Sequence, residues 1–172
     1  MIMRPGAQLL LPVNPLFIGT TLLLALAANL LPLGRHPALP DLLALVLVFW
    51  NVHQPRRVGV VLAFACGLLM DVHQGALLGQ HALAYTLLSY GAIAIHRRVL
   101  WFSLPLQALH VLPLFLLAQL VTLLVRLMAG SMFPGWSIWL SPLWQAVLWP
   151  LASLLLLAPQ RRAPDPDQNR PL

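Results

Sequence analysis

Charge is scarce in this chain. Charged residues make up 8% of the 172 positions, and neither lysine nor glutamate occurs. A soluble domain carries about 25% charged residues, so this chain has too little polar side chain to cover a globule in water. Hydrophobic residues reach 60%, and the mean hydropathy is +0.84. The composition therefore predicts one compact membrane domain, with too few residues for a second.

Cysteine is almost absent as well. The single Cys66 cannot form an internal disulfide, lies in an apolar run and has no partners at zinc-ligand spacing. The six histidines include no HxxxH or HExxH pair. There is no P-loop, no nucleophile elbow and no pair of intramembrane carboxylates. The sequence thus predicts no metal, no cofactor and no enzymatic activity.

Positive charge is present, but it is dispersed. All ten basic residues are arginine, and the net charge is +6. The arginines occur singly or in pairs between apolar runs, without the basic stripe and interleaved aromatics of a nucleic-acid-binding surface. Signals for membrane topology explain this placement better. We therefore expect a lipid bilayer as the environment and no nucleic acid partner.

The apolar residues fall into six runs that predict an all-α, polytopic membrane helix bundle. The expected helices cover residues 16–33, 40–53, 56–71, 76–96, 104–128 and 138–158. The second and third are short for a bilayer, so a re-entrant hairpin is the alternative to two separate helices; loop-like flanks favour two helices. Asp41, after a proline, is typical of a helix start. Residues 1–15 are predicted to be a cytoplasmic segment, and residues 159–172 a disordered cytoplasmic tail.

The arginines also predict the orientation of the bundle. If the N-terminus is cytoplasmic, eight of the ten arginines lie inside, as the positive-inside rule requires. Both termini are then cytoplasmic. Cytoplasmic turns contain Gln54, Arg56 and Arg57, and the pair Arg97 and Arg98. These side chains offer basic contacts to a partner or, as the alternative, anchor the protein to anionic lipid.

An acid in the middle of an apolar sequence is the most unusual feature of the chain. Asp71 is expected at the periplasmic end of the third helix, where a carboxylate is costly unless it has a partner. Three roles are open: capping of the following turn through the amides of residues 72–75, pairing with His73, His81 or Arg126, and contact with another protein. Turn capping is favoured. It predicts that Asn is tolerated and that Ala costs about 1 kcal/mol.

Small residues precede and follow this acid. Four positions at a spacing of four residues share one helix face: Gly59, Ala63, Gly67 and Asp71. Small side chains at this spacing let another helix approach closely, either within the bundle or from a partner. Gly75 and Gly79 form a GxxxG match, which is a weak signal in so apolar a sequence.

An ordered set of motifs resembles the MreD family of bacterial rod-shape membrane proteins. The motifs are Pro40-Asp41, HQPRR (53–57), GLLMDVHQGALLGQHALAY (67–85), HRRVLWF (96–102) and QALHVLP (107–113). The resemblance covers residues 16–158. It implies a non-enzymatic, multi-pass inner-membrane scaffold of the cell-elongation complex. Its implied partners are an MreC-like protein, MreB, RodA and a class B penicillin-binding protein, and its implied role is to couple MreB filaments to peptidoglycan synthesis.

The same family is similar in architecture to the substrate-binding S component of energy-coupling-factor transporters. The resemblance therefore leaves a second class of function open, a small-molecule-binding membrane subunit of a transporter. That alternative predicts a polar pocket near the outer leaflet, built around Asp71, His73 and Gln119.

Overall fold

The computed structural model describes residues 13–31 and 39–160. Within these ranges the regular structure is entirely helical, without strands. The helices are α1 (Pro15–Leu30), α2 (Leu42–His53), α3 (Gly59–Gln74), α4 (Gln80–Val99), α5 (Leu104–Met128) and α6 (Leu140–Leu157). Short 3₁₀ turns, Trp136–Trp139 and Ala158–Gln160, extend α6 at both ends. The six predicted helices are therefore present, while most of the predicted N-terminal segment and tail lies outside the described residues.

The largest difference from the predicted bounds lies between α3 and α4. α3 continues to Gln74, and α4 begins at Gln80 rather than residue 76. Gly75 ends α3 in the left-handed conformation with φ of 60°, and Gly79 precedes α4 with φ of 103°. A side chain is strained at such angles, which accounts for glycine at both positions. The GxxxG match, a weak signal in the sequence, is thus part of the turn between α3 and α4.

The second apolar run forms a helix at the centre of the bundle. α2 has 12 residues, about 18 Å at 1.5 Å per residue, well short of a hydrocarbon core of about 30 Å. It packs on α1, α4 and α6, whereas α3 packs chiefly on α4. α2 and α3 are therefore separate helices, each packed on other helices rather than on each other. α2 has no polar face, so it can be buried on all sides without placing a charged side chain in the interior. Its fully buried side chains include Leu43, Leu47, Val48, Phe49, Trp50 and Val52.

α3 and α4 are the most closely packed pair of helices. A methyl group added to Gly67 would overlap the backbone of Ala82 and His81. Ala63 and Asp71, on the same face of α3, are completely buried. Gly59 differs, since it begins α3 and a side chain there would meet open space. The small residues from Ala63 onward therefore pack within the bundle and are not available to a partner helix.

Two helical segments have the length and apolar composition needed to cross a membrane. They are Leu104–Met128 and Trp136–Gln160, with 25 residues each. α1, α2 and α3 are apolar but shorter. Large apolar side chains also point outward from five of the helices, among them Leu23, Val61, Leu109 and Val147. An apolar exterior of this extent is typical of a surface that meets lipid or other helices.

Candidate polar site at one end of the bundle

The Asp71 carboxylate joins the end of α3 to the start of α4. Its Oδ1 accepts hydrogen bonds from the His81 amide at 2.7 Å and from His81 Nδ1 at 2.8 Å. Its Oδ2 accepts from the amides of Gly79 at 2.9 Å and Ala82 at 3.3 Å. Gly79 has no side chain with which to cap α4, so the preceding helix supplies the cap. A carboxylate at a helix N-terminus is also favoured by the helix dipole.

This geometry changes the predicted role of Asp71. The residue lies within the last turn of α3, and its donors are amides of α4, not those of residues 72–75. Of the three side chains considered as partners, His81 bonds to it, whereas His73 and Arg126 do not. The exposed fraction of Asp71 is 0%. A carboxylate so enclosed holds the hairpin together and has no surface to offer another protein.

A second carboxylate joins four helices at the same end of the bundle. Asp41 is the N-cap of α2, where its Oδ1 accepts from the Ala44 amide at 3.0 Å. Asn29 of α1 donates to Oδ1, and Tyr85 of α4 donates to Oδ2, each at 2.6 Å. Gln145 of α6 donates to the backbone carbonyl of Asp41 at 3.1 Å. Asp41 is therefore a tertiary junction as well as a helix cap.

A cavity of about 940 Å³ opens between these two carboxylate clusters. Residues from all six helices line it, including His73 and Gln119, two of the three side chains expected for a ligand pocket. Asp71, the third, is absent from the lining because His81 and the α4 backbone enclose it. Further polar residues face the cavity, among them Asn29, Asp41, Gln80, His81 and Arg126.

The predicted cytoplasmic residues lie at the opposite end of the bundle. Gln54 is the C-cap of α2 and accepts from the Arg57 amide at 3.0 Å. The Arg57 guanidinium donates to the carbonyl of Val13 at 2.6 Å, so it joins this turn to the start of α1. Arg56 is exposed, as are Arg97 and Arg98 in the last turn of α4. The structure thus separates the basic turns from the two carboxylate clusters.

Several residues of the polar end were not singled out from sequence. Asn29, Tyr85 and Gln145 surround Asp41 from helices far apart in the chain. Gln80 is 7% exposed and lines the cavity. Isolated polar residues in apolar runs are the one signal that marks them, and this signal does not reveal which of them meet.

The fold and the site together define an all-helical protein with candidate membrane spans and internal polar junctions. Across residues 13–31 and 39–160, no group of three or more potential metal-ligating side chains lies together. The family model of rod shape-determining protein MreD matches residues 9–158. The chain therefore belongs to the MreD family, a family of membrane proteins.

A curated relative agrees with this assignment. The chain is 29% identical over 135 residues to the rod shape-determining protein MreD of Haemophilus influenzae, a match that covers 76% of this chain and 81% of the relative. No solved structure shows a significant match to the chain. The expected family is confirmed, and with it a role in determining rod shape.

Proposed function

We propose that this protein is a non-enzymatic scaffold of the cell-elongation complex in the bacterial inner membrane. The match of the MreD family model across nearly the whole helical bundle carries this proposal. Through the complex, the protein would help couple MreB filaments and an MreC-like protein to peptidoglycan synthesis by RodA and a class B penicillin-binding protein. The described part of the chain is nearly all helix and short turns, which suits a protein that acts through helix faces.

The proposed orientation places both termini in the cytoplasm, with all six helices in the membrane region. The distribution of arginines supports it, since Arg56, Arg57, Arg97 and Arg98 cluster at one end of the bundle and Arg126 lies at the other. In this orientation the cavity opens toward the periplasm. α2 is too short to cross a bilayer alone, so its neighbours α1, α4 and α6 would shield it from lipid.

Depletion in a rod-shaped host tests the scaffold role. We expect depleted cells to become round, and we expect the tagged protein to co-purify with an MreC-like partner. Cells that stay normal rods after complete depletion would refute the proposal. Crosslinkers at the exposed Arg56 and Arg98, with the exposed His73 at the opposite end of the bundle as the control position, would locate the cytoplasmic partner surface.

The cavity favours a second candidate function, that of a small-molecule-binding membrane subunit of a transporter. It is lined by His73 and Gln119, and its volume of about 940 Å³ is at the upper end of the usual range for ligand sites, about 300–1,000 Å³. This function predicts that depletion abolishes uptake of a solute while leaving cell shape intact. Round cells with unchanged uptake would exclude it.

A further inference from the structure

We infer that the cavity binds the phosphate-bearing head of an amphipathic molecule, with Arg126 and Gln80 as the main polar contacts. This inference goes beyond the scaffold role and does not depend on it. It rests on which polar groups around the cavity are already satisfied, on the charge of those that are not, and on the apolar remainder of the wall.

The two carboxylates near the cavity are already satisfied. Asp41 accepts hydrogen bonds from Asn29, Ala44 and Tyr85, and it also lies at the positive end of the α2 dipole. Asp71 accepts four hydrogen bonds and has no exposed surface. Neither acid therefore needs a cation from a ligand.

The wall formed by α3, α4 and α5 has unused hydrogen-bonding capacity. Gln80 is 7% exposed as a residue and lines the cavity, and its side-chain amide makes no hydrogen bond to another described residue. Gln119 lines the cavity without such a partner as well. The Arg126 guanidinium makes no ion pair with a described residue. Since His81 uses Nδ1 for Asp71, its Nε2 is left for the cavity.

These unused groups favour an anionic ligand rich in acceptors. Arginine presents five N–H donors and no acceptor, and its planar fork matches phosphate oxygens in a bidentate arrangement. The side-chain amides of Gln80 and Gln119 add further N–H donors. The oxygens of the nearby acids are already hydrogen-bonded, and the exposed Arg126 supplies the permanent positive charge in the cavity lining. A phosphate group therefore complements it better than a neutral or cationic group does.

The remaining wall accommodates hydrocarbon. Apolar side chains from five parts of the chain line the same cavity, among them Leu30, Leu39, Met70, Phe115 and Ile138. A ligand with a phosphate and an apolar portion would satisfy both kinds of wall. Such a molecule is either a membrane phospholipid that enters head first or a soluble organophosphate.

Three probes that share parts of one structure test the inference on the purified full chain in detergent. The probes are phosphatidylglycerol, diacylglycerol with the same acyl chains, and glycerol 3-phosphate. We expect phosphatidylglycerol at tenfold over its Kd to raise the Tm by about 3–6 °C, and diacylglycerol to leave it unchanged. A shift with glycerol 3-phosphate alone identifies a soluble organophosphate as the source; a shift that needs the acyl chains identifies a lipid.

Variants then locate the binding site. Arg126→Gln and Gln80→Leu should each weaken phosphatidylglycerol binding at least tenfold, measured by native mass spectrometry. The matched controls Arg98→Gln and Gln54→Leu, at the other end of the bundle, should bind as the parent does. If Gln80→Leu lowers the unliganded Tm, Gln119→Leu replaces it.

Three results would overturn the inference. The first is equal binding of phosphatidylglycerol by the parent and Arg126→Gln, which indicates lipid around the bundle rather than in the cavity. The second is an equal shift with diacylglycerol, and the third is no shift with any of the three probes.

Discussion

The sharpest prediction concerns Asp71→Asn. Both carboxylate oxygens are used: Oδ1 accepts two hydrogen bonds from His81, and Oδ2 accepts one each from Gly79 and Ala82. An Asn in either amide orientation turns its NH₂ toward two N–H donors. The tolerance of Asn that a single-oxygen turn cap predicts is therefore not expected in this structure.

The magnitude follows from burial. A hydrogen bond to a charged group contributes about 1.5–3 kcal/mol, and removal of one partner of a buried pair costs about 3–5 kcal/mol. We expect Asp71→Asn to lower the free energy of unfolding by about 2–4 kcal/mol and Asp71→Ala by about 3–5 kcal/mol. The latter exceeds the ~1 kcal/mol of an ordinary lost cap, because amides of α4 are left unsatisfied in the interior.

Unfolding in mixed micelles, followed by tryptophan fluorescence, measures these changes. His73→Ala is the matched control, since His73 is exposed and close in sequence but does not bond to Asp71. It should stay within about 0.5 kcal/mol of the parent. If Asp71→Asn also stays within that margin, the two-oxygen cap is refuted. If it remains stable but fails to support rod shape at normal protein levels, the charge itself is required by a partner.

Substitutions of His81, which donates to Asp71, give an independent check of this hydrogen bond. His81→Leu removes the Nδ1–H donor and should cost about 1.5–3 kcal/mol, whereas His81→Asn keeps a donor at a similar position and should cost less than half as much. Equal losses in the two variants would show that packing of the ring, not its hydrogen bond to Asp71, is what stabilises the hairpin.

Three further outcomes are expected. Gly67→Ala should cost about 1–3 kcal/mol through overlap with the α4 backbone, while Gly19→Ala, where a methyl meets open space, should be neutral or stabilising; similar effects would contradict the close approach. Tyr85→Phe should cost about 1.5–3 kcal/mol by removing the hydrogen bond to Asp41, and the exposed Tyr90→Phe should cost almost nothing. A reporter fused to the C-terminus should be active in the cytoplasm, and periplasmic activity would overturn the proposed orientation.

The six helices could be predicted from sequence, because six apolar runs are separated by proline, glycine and paired arginines. Such residues end helices, so few other divisions of the chain into helices are possible. The bounds were less predictable between α3 and α4. The sequence places Asp71 at the end of the third helix, where a carboxylate opposes the helix dipole and therefore needs a partner. Its actual partner is the positive end of the next helix, and only the packed hairpin brings that end within reach.

The residues of the polar site, like the helix bounds, were only partly predictable from the sequence. The sequence marks Asp71 as a costly residue in an apolar chain, Asp41 as a helix start, and His81 as one of three candidate partners of Asp71. It does not reveal that Asn29, Tyr85 and Gln145 converge on Asp41, since these residues lie 12, 44 and 104 positions away. Nor does it place Gln80 and Arg126 around one cavity.

Composition and local order alone determined the class of this protein, the number of its helices and its family, because these depend on residue types and on neighbours in the chain. The tertiary structure alone decided that the shortest helix is the most deeply buried, and that Gly67 is where α3 meets α4. It also decided that the polar clusters around Asp41 and Asp71 lie beside one cavity, which Arg126 lines without an ion pair to any described residue. The physical reason is that burial, unlike helix formation, depends on contacts between residues far apart in sequence.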